Sequence, residues 1–539
     1  MPVPSRRRIV ALAVLGVWAG IVAWHIRREY FKPLALRIET GARALAPGSR
    51  FYAVRMEGRT IGLASSTIDT VPEGFVLEEL LQLDVPALDT LHRAVVRTRV
   101  ALSQALELRD FVFDLSSEVG RFTARGTMRD SVLALDIGAG GDVQHETLPF
   151  DDAPVLPGVL PLRLAAAGRL EVGEHDRVRI FDPSTLAERG VEIRVGAHDT
   201  LLVPADSVVR DPETGRWTTA LYDTVPAWHV EEAFGGVVLA SWVDADGRLI
   251  RATSPLGFTL ERAPYEVARE AWIRAQKDAR LAAGYGTVIE ATAIAAGAAV
   301  DDIAVADRLA VRLLDVPLSG FDLTGGRQSL SGDTLRVVRE DAASLEAGYR
   351  LPYRGAGEPA EALSATALIQ AEDPRITETA LRIAGGETDP VAVARKLNAW
   401  VYRTLEKDVT LSIPSAVQVL AAGEGDCNEH TVLYVALARA LGLPARTAAG
   451  LVHIRGKFYY HAWPEVWLGR WVAVDPTLGQ FPADASHLRL LVGGLARQVE
   501  LIRLIGRLRL EVVPPAVGVP GRGAGTDAPS AAAGAVHPS

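Results

Sequence analysis

Cysteine is almost absent from this chain, and so is any concentration of basic charge. Cys427 is the only cysteine among 539 residues, which excludes a disulfide within the chain and a zinc site with several thiolates. The formal net charge is −9, and we expect no nucleic-acid partner, because such a partner requires a clustered basic face. Hydrophobic residues make up 48% and charged residues 23%, so sizeable cores can form, and the length predicts about three folded units.

Long apolar runs are also scarce, and the clearest one lies near the N-terminus. Residues 9–26 are apolar except for His25, and they follow three arginines at positions 6–8. A membrane-spanning helix needs about this length, although a cleaved signal peptide has a similar basic start and apolar core. We favour a retained membrane anchor over residues 1–30, because the run leads directly into two further arginines. The leading arginines then predict a single-pass protein of the inner membrane, with most of the chain on the periplasmic side.

Alternating apolar residues broken by turn signals are typical of β-strands over residues 48–262. Residues 242–251, for example, predict a hairpin around an Asp-Ala-Asp-Gly turn. Short strands at this spacing predict a curved antiparallel sheet or an open barrel. The closing part, residues 228–258, is similar in style to lipoprotein-carrier half-barrels, a resemblance that implies no site residues. A β-rich spacer or docking module and a lipid-binding module both remain open.

The rest of the chain divides by composition. Residues 263–286 have few helix breakers and predict a linking helix, and residues 287–355 predict a second, smaller β unit. From residue 376 the apolar period becomes helical, which opens a C-terminal domain over residues 376–513. Residues 514–539 are rich in Gly, Pro, Ala and Ser, a composition that predicts a disordered tail.

The most informative stretch is GEGDCNEH at residues 423–430, directly before an apolar helical run. Cys427 therefore lies after a glycine-containing loop, at or near the start of a helix, with Asp426 as the candidate N-cap. A helix N-terminus carries partial positive charge, which favours the nucleophilic thiolate over the thiol. A lone cysteine is ordinarily a small buried apolar residue, but this placement suits a reactive thiol better.

A β-hairpin predicted over residues 457–477 supplies a histidine and a carboxylate. His461 lies at the start of one strand and Asp475 at the end of the next. Cys, His and Asp in this order match a nucleophile, its base and the group that orients the base. An ideal two-residue turn would put His461 and Asp475 on opposite faces of the hairpin. We therefore expect an irregularity, either a three-residue loop at the turn or a bulge near Pro464, which has no backbone donor.

Three motifs together resemble the bacterial transglutaminase-like superfamily, in its membrane-associated, cysteine-protease-like branch. They are GDCNEH before a helix that ends in LGLPAR, then HAW at residues 461–463, then DPT at residues 475–477. Residues 479–485, GQFPADA, also resemble a subset of membrane-associated members. The resemblance implies a papain-like α+β core over residues 376–513, with Cys427, His461 and Asp475 as the catalytic triad. It does not indicate which substrate is used or whether calcium is required.

Three further residues are candidates for supporting roles, each with an ordinary structural alternative. Gln418 could donate to an oxyanion beside the cysteine backbone N–H, or be a solvated helix position. His430 could tune the thiolate, or pack in the core. Trp463 could shield the site, or be a core residue of the hairpin. His453 and His487 have the pattern of ordinary surface or loop residues.

The sequence as a whole predicts an α+β protein with an N-terminal membrane helix, antiparallel β-rich regions and a C-terminal papain-like transglutaminase core. The predicted function is thiol acyl transfer at an amide or peptide carbonyl of a protein or peptide substrate, with no cofactor and no metal. Hydrolysis is favoured over transamidation, because water needs no second binding site. The alternative is a non-enzymatic envelope scaffold, or a lipid- or lipoprotein-binding module, in which the triad is vestigial.

Overall fold

The computed structural model describes residues 34–281, 292–296 and 307–513, except for residues 57, 88–89, 119, 140–141, 409 and 411. Of the described residues, 45% lie in strands and 22% in helices. The larger part of the strand content forms one antiparallel sheet of fourteen strands.

Sixteen strands lie between Gly48 and Arg262, and fourteen of them make this sheet. They are β1 (Gly48–Met56), β2 (Arg59–Val71), β3 (Gly74–Ala87), β4 (Thr90–Ser103), β5 (Leu108–Ser117), β6 (Gly120–Arg129), β7 (Val132–Ala139), β8 (Asp142–Pro149), β9 (His175–Asp182), β10 (Ala187–Pro204), β11 (Val208–Arg210), β12 (Trp217–Thr219), β13 (Tyr222–Phe234), β14 (Val237–Val243), β15 (Leu249–Thr253) and β16 (Phe258–Arg262). The sheet order is β8 to β1 in sequence, then β16, β15, β14, β13, β10 and β9, while β11 and β12 pair separately.

Two meanders thus join edge to edge through the pairing of β1 with β16. One apolar core of the sheet includes Phe111, Phe122 and Phe181. Two short helices, α1 (Leu34–Ala42) and α2 (Leu160–Ala166), pack into this core. Gly41 allows their close approach, because a Cβ there would lie 2.1 Å from the carbonyl oxygen of Ala166.

Helix α3 (Tyr265–Leu281) follows the large sheet, and the described residues after it form two smaller sheets and one two-stranded pair. Their strands are β17 (Ile294–Ala295), β18 (Arg308–Leu314), β19 (Gln328–Ser331), β20 (Thr334–Val338), β23 (Ala445–Ile454), β24 (Lys457–Trp467), β25 (Trp471–Ala473), β26 (Leu488–Val492) and β27 (Arg509–Val512), and β21 (Glu406–Lys407) pairs with β22 (Glu424–Gly425). One sheet has the order β19-β20-β18-β27, and the other has the order β17-β24-β23-β26 with β25 on β24. Strands of the region predicted as a separate small β unit therefore pair with strands of the C-terminal region.

The C-terminal helices pack on the sheet that contains β24. They are α4 (Glu358–Glu361), α5 (Pro374–Ala384), α6 (Pro390–Thr404), α7 (Ala416–Ala422), α8 (Cys427–Ala440) and α9 (Leu495–Gln498), with 3-10 turns at Pro157–Val159, Ala342–Ser344 and Val499–Leu504. Helix α8 is buried along most of its length, from Glu429 to Ala438. It lies at the centre of an apolar core with α5, α6 and the hairpin strands, so its first residue has a fixed position.

The predicted fold class is wrong. We predicted an α+β protein with an N-terminal membrane helix, whereas the described chain is strand-dominated, with one large antiparallel sheet. Among the helices of the described residues, none is long and apolar enough to cross a membrane. The anchor predicted for residues 1–30 lies outside the described residues. The alternating pattern identifies individual strands, but it does not reveal that β1 pairs with β16 and joins them into one sheet.

Candidate active site

Helix α8 begins at Cys427, and its first turn is capped in both directions. The Asp426 side chain accepts a hydrogen bond of 2.8 Å from the backbone N–H of Asn428. The Glu429 carboxylate in turn accepts one of 3.0 Å from the N–H of Asp426, which completes a capping box. The prediction of Asp426 as N-cap is confirmed. Cys427 therefore lies at the positive end of a long buried helix.

The turn of the hairpin determines whether His461 and Asp475 lie on the same face. Trp467 pairs with Trp471, so the loop has three residues, 468–470, rather than two. The pairing of β23 with β24 shows no register shift at Pro464. The predicted irregularity is therefore the three-residue loop, and it brings His461 and Asp475 to the same face of the hairpin.

His461 and Asp475 meet in a buried hydrogen bond. His461 Nε2 lies 2.8 Å from Asp475 Oδ2, and the exposed fractions of the two residues are 9% and 0%. The other carboxylate oxygen accepts the backbone N–H groups of Thr477 at 2.7 Å and Leu478 at 2.9 Å. Because Nε2 is engaged by the carboxylate, Nδ1 is the ring nitrogen left for a substrate or a thiol.

Strand β24 contacts Cys427 at the residue next to His461. The backbone N–H of Ala462 donates a hydrogen bond to the thiol, and the thiol interacts electrostatically with Asp475. Burial raises the pKa of the Cys427 thiol well above its usual range, and the neighbouring carboxyl groups of Asp426 and Glu429, which hold one negative charge between them, add to the rise. The expectation from the sequence, that the helix N-terminus favours the thiolate, did not take this burial into account. A thiolate at this position therefore needs a nearby group that accepts its proton.

Two carboxyl groups beside the thiol share one proton. Burial and the adjacent charge of Glu429 raise the pKa of Asp426 well above its usual range. Burial also opposes ionisation of Glu429, but hydrogen bonds from Asp426, Ser412 and Thr410 outweigh it and lower the Glu429 pKa. Asp426 is then the protonated partner and Glu429 the charged one. The thiol has one neighbouring negative charge here rather than two.

The supporting candidates occupy three different environments. Gln418 donates through its side-chain amide to the backbone carbonyl of Arg121 in β6, so it connects the C-terminal region to the large sheet. His430 is fully buried, with Nδ1 2.7 Å from the Asp426 carbonyl, and burial lowers its pKa, so the ring is neutral. Trp463 lies with its ring 6.1 Å from that of His461, at an interplanar angle of 25°. The roles assigned to Gln418 and His430 in the reaction stay predictions.

His487 lies in the loop before β26, as its sequence context suggested, but it is buried rather than at the surface. It is 1% exposed, and its Nε2 lies 2.9 Å from Asp475 Oδ2, the same oxygen that bonds His461. Its Nδ1 lies 3.1 Å from Asp484 Oδ1. The available signal was the concentration of polar residues in an otherwise apolar stretch, Gln480, Asp484 and His487, shortly after Asp475.

His461, Asp475 and His487 are residue types that could hold a metal ion, with candidate ligand atoms within 4.8 Å of one another. Their nitrogen-to-oxygen distances of 2.8 and 2.9 Å are those of hydrogen bonds. Two ligands of a tetrahedral zinc ion would be separated by about 3.3 Å, given bonds of about 2.0 Å. The spacing therefore fits a proton-sharing network better than a metal site.

The sequence model of the transglutaminase-like superfamily matches residues 377–476. All three candidate triad residues, Cys427, His461 and Asp475, fall within the match. Residues 377–476 belong to the transglutaminase-like superfamily. This confirms the resemblance inferred from the three motifs. His487 and Asp484 lie beyond the matched segment of the transglutaminase-like domain.

Three solved structures show weak likenesses to the chain. A candidate cysteine protease from Cytophaga hutchinsonii is 14% identical, with a TM-score of 0.26, over 38% of this chain and 83% of that protein. A β-barrel-like protein of domain family DUF1849 from Brucella abortus is 13% identical, with a TM-score of 0.29, over 41% and 97%. A DUF1089 family protein from Pseudomonas aeruginosa is 15% identical, with a TM-score of 0.21, over 35% and 87%. No curated protein matches the chain. Likenesses at these TM-scores carry no functional argument.

Proposed function

We propose that the transglutaminase-like domain catalyses thiol acyl transfer at an amide or peptide carbonyl. Cys427 is the nucleophile, His461 the general base and Asp475 the carboxylate that orients the base. The observation that carries the proposal is the convergence of three elements. The N-terminus of α8 presents the thiol, β24 donates to it from Ala462, and the neighbouring His461 is fixed by Asp475 at 2.8 Å.

In the proposed reaction, each proton has a stated donor and acceptor. His461 Nδ1 accepts the thiol proton while Sγ bonds to the carbonyl carbon, and the carbonyl oxygen becomes an oxyanion. The backbone N–H of Cys427, in the first turn of α8, has no partner within the helix and can donate to that oxyanion. The C–N bond then breaks, and the leaving amine takes the proton from His461. Water or a second amine attacks the thioester with His461 again as base, and the thiol is released.

Desolvation of the Cys427 thiol, which is only partly exposed, argues for proton transfer that is coupled to attack. A free thiolate is costly at this position, because desolvation and the charge on Glu429 both disfavour it. Transfer to His461 leaves the net charge of the pair unchanged. Positioned general bases of this kind accelerate reactions by roughly a hundred- to ten-thousandfold. The substrate class, a protein or peptide, and the preference for hydrolysis over transamidation stay predictions.

The acyl-enzyme is the species that tests this proposal. Purified protein is mixed with activated acyl donors, such as peptide nitrophenyl esters. The reaction is quenched in acid, and the mass of the intact protein is measured by mass spectrometry. We expect one acyl group on Cys427 that hydroxylamine removes, since thioesters are cleaved by this nucleophile. Cys427→Ala should show no adduct, and His461→Ala should form it far more slowly. Folded wild-type protein that never acquires a hydroxylamine-sensitive adduct would exclude the proposed chemistry.

A second function, ligand binding by the large sheet, is favoured by one observation. A cavity of about 580 Å³ lies between the inner face of the sheet and the Pro157–Leu162 segment. Its lining combines apolar residues such as Leu77 and Leu81 with Glu79. Titration with a fluorescent fatty acid tests this function, and Leu81→Trp, which fills the cavity, should weaken binding at least tenfold. Unchanged affinity in that variant would exclude the cavity as the binding site.

A further inference from the structure

Asp475 is shared between two histidines rather than dedicated to one. Its Oδ2 lies 2.8 Å from His461 Nε2 and 2.9 Å from His487 Nε2. His487 is itself held between two carboxylates, with Asp484 Oδ1 3.1 Å from its Nδ1. His461, Asp475, His487 and Asp484 are all less than one-tenth exposed. The four groups form one continuous hydrogen-bonded chain that leads away from Cys427.

The hydrogen-bonding partners determine the charge of His487. A neutral imidazole has one donor and one acceptor, so it cannot donate from both nitrogens. Asp475 also accepts two backbone N–H groups, and Asp484 accepts the backbone N–H and the hydroxyl of Ser486, which keeps both carboxylates ionised. Burial alone would lower the pKa of His487, but its bonds to the two carboxylates outweigh burial and raise it. His487 is therefore an imidazolium.

The surroundings of His487 supply few competing charges. Trp463 packs against it edge-on, with ring centroids 5.1 Å apart. The ring of His461 lies 5.8 Å away. On the far side, the Arg327 guanidinium donates to the backbone carbonyl of Asp484 at 2.7 Å and faces Glu340 at 3.6 Å. The charges that act most directly on His487 are thus its two carboxylates and the triad histidine.

We propose that His487, fixed by Asp484, is a positioning residue that acts through Asp475 to keep His461 oriented and available as a proton acceptor. This inference rests on the proposed function, since it assigns a role relative to the catalytic base. Asp475 fixes the ring of His461, but an unopposed buried carboxylate would also stabilise a proton on that ring. The positive charge of His487 cancels much of this attraction and leaves the hydrogen bond in place. His461 then remains free to accept the Cys427 proton.

The size of the effect follows from the separation of the rings. Two charges 5.8 Å apart, at an effective dielectric constant of about 20, change a proton affinity by about two pH units. Screening by Asp475 and Asp484 reduces this value, so we expect a shift of roughly one to two pH units when the charge is removed.

The test is the pH dependence of Cys427 alkylation by iodoacetamide in the full chain. His487→Gln keeps a donor for Asp475 but removes the positive charge, and Asp484→Asn keeps an acceptor for His487 but removes the charge that stabilises its cation. Both should move the midpoint of the alkylation profile to higher pH, His487→Gln by one to two units. His145→Gln, which alters an exposed histidine paired with Asp136 at 2.7 Å, is the matched control and should leave the midpoint unchanged.

The outcomes separate this proposal from the proposed function. A wild-type profile that does not depend on His461 contradicts the function itself. A His461-dependent wild-type profile whose midpoint is the same in folded His487→Gln contradicts only the role of His487. Should the variants fail to fold, nitrogen-15 spectra of labelled wild-type histidines decide. We expect protons on both His487 nitrogens throughout neutral pH, and a neutral His487 there would overturn the proposal.

Discussion

At the scale of single residues, Cys427 is subject to opposing influences. The helix N-terminus and the N–H of Ala462 favour the thiolate, whereas burial and the neighbouring carboxylates favour the thiol. The sequence reveals the effect of the helix N-terminus, because the residues that start a helix are local in the chain. The sequence does not reveal the burial of the thiol, because burial depends on residues distant in the chain. His487 was hidden for the same reason, since its importance comes from partners that only the fold brings together.

Asp475→Asn is the residue change with the most specific expected result. An asparagine has no negative charge, and its single oxygen cannot accept both from the two histidines and from the backbone N–H groups of Thr477 and Leu478, so His461 loses its charged partner and its fixed tautomer. We expect kcat/KM for an acyl donor to fall by roughly a hundred- to ten-thousandfold. Asp136→Asn, at the exposed pair with His145, is the control and should retain full activity. Wild-type kcat/KM in Asp475→Asn would remove Asp475 from the catalytic machinery.

At the scale of elements, the hairpin shows how loop length sets the geometry of the proposed catalytic pair, His461 and Asp475. The helix start, the two strands and the need for an irregular turn could all be predicted from local patterns around His461 and Asp475. The sequence could not predict which irregularity occurs. A three-residue loop and a bulge at Pro464 would both bring His461 and Asp475 to the same face of the hairpin. The structure contains the loop, with Gly469 at its centre in a left-handed conformation, φ 72°.

Deleting Gly469 should therefore abolish the proposed activity without removing any residue of the proposed triad. The loop would shrink to two residues, and His461 and Asp475 would return to opposite faces of the hairpin. We expect loss of acyl transfer, measured with the same acyl donors, together with loss of the His461-dependent part of Cys427 alkylation. Gly469→Asn keeps the loop length, and asparagine tolerates positive φ, so this variant should stay active. Activity in the deletion variant would contradict the parity argument.

At the scale of the whole molecule, strand pairing between distant segments decides the architecture. β1 pairs with β16 to join two meanders, β17 pairs with β24 beside the site, and β18 pairs with β27 near the end of the described chain. The composition of each segment could be predicted as strand or helix. These three pairings could not be predicted, because they depend on which strand edges meet in the fold and not on the local pattern of apolar residues. The large sheet and the transglutaminase-like domain also contact each other through Gln418 and Arg121.

Ionisation of Glu79 in the large sheet should make the free energy of unfolding depend on pH. Burial raises the pKa of Glu79 to about 6, above its ordinary value of 4.5. A carboxyl with a raised folded-state pKa contributes stability that is fully present below pH 4.5 and is lost as pH rises through 6. Glu79→Gln should therefore increase the free energy of unfolding at pH 7.5 by roughly 1–2 kcal/mol, and by little at pH 4.5.

Urea unfolding at the two pH values measures this difference. Glu78→Gln is the matched control, since Glu78 is exposed and forms a surface ion pair with Arg99 at 3.3 Å. It should change stability by less than about 1 kcal/mol at either pH. Equal stabilisation by Glu79→Gln at both pH values would mean that its ionisation is not the cause.

The pH profile of Cys427 alkylation, compared between wild type and His461→Ala, tests the central claim most directly. Cys427 is the only thiol in the chain and is partly exposed, so iodoacetamide labels a single site. We predict a wild-type midpoint well below about 8.5, the value of a free thiol, because His461 accepts the proton. In His461→Ala, burial acts unopposed, and the midpoint should lie above that value. Identical profiles, or a folded wild-type protein inert up to about pH 8, would contradict the account and leave Cys427 as a packing residue.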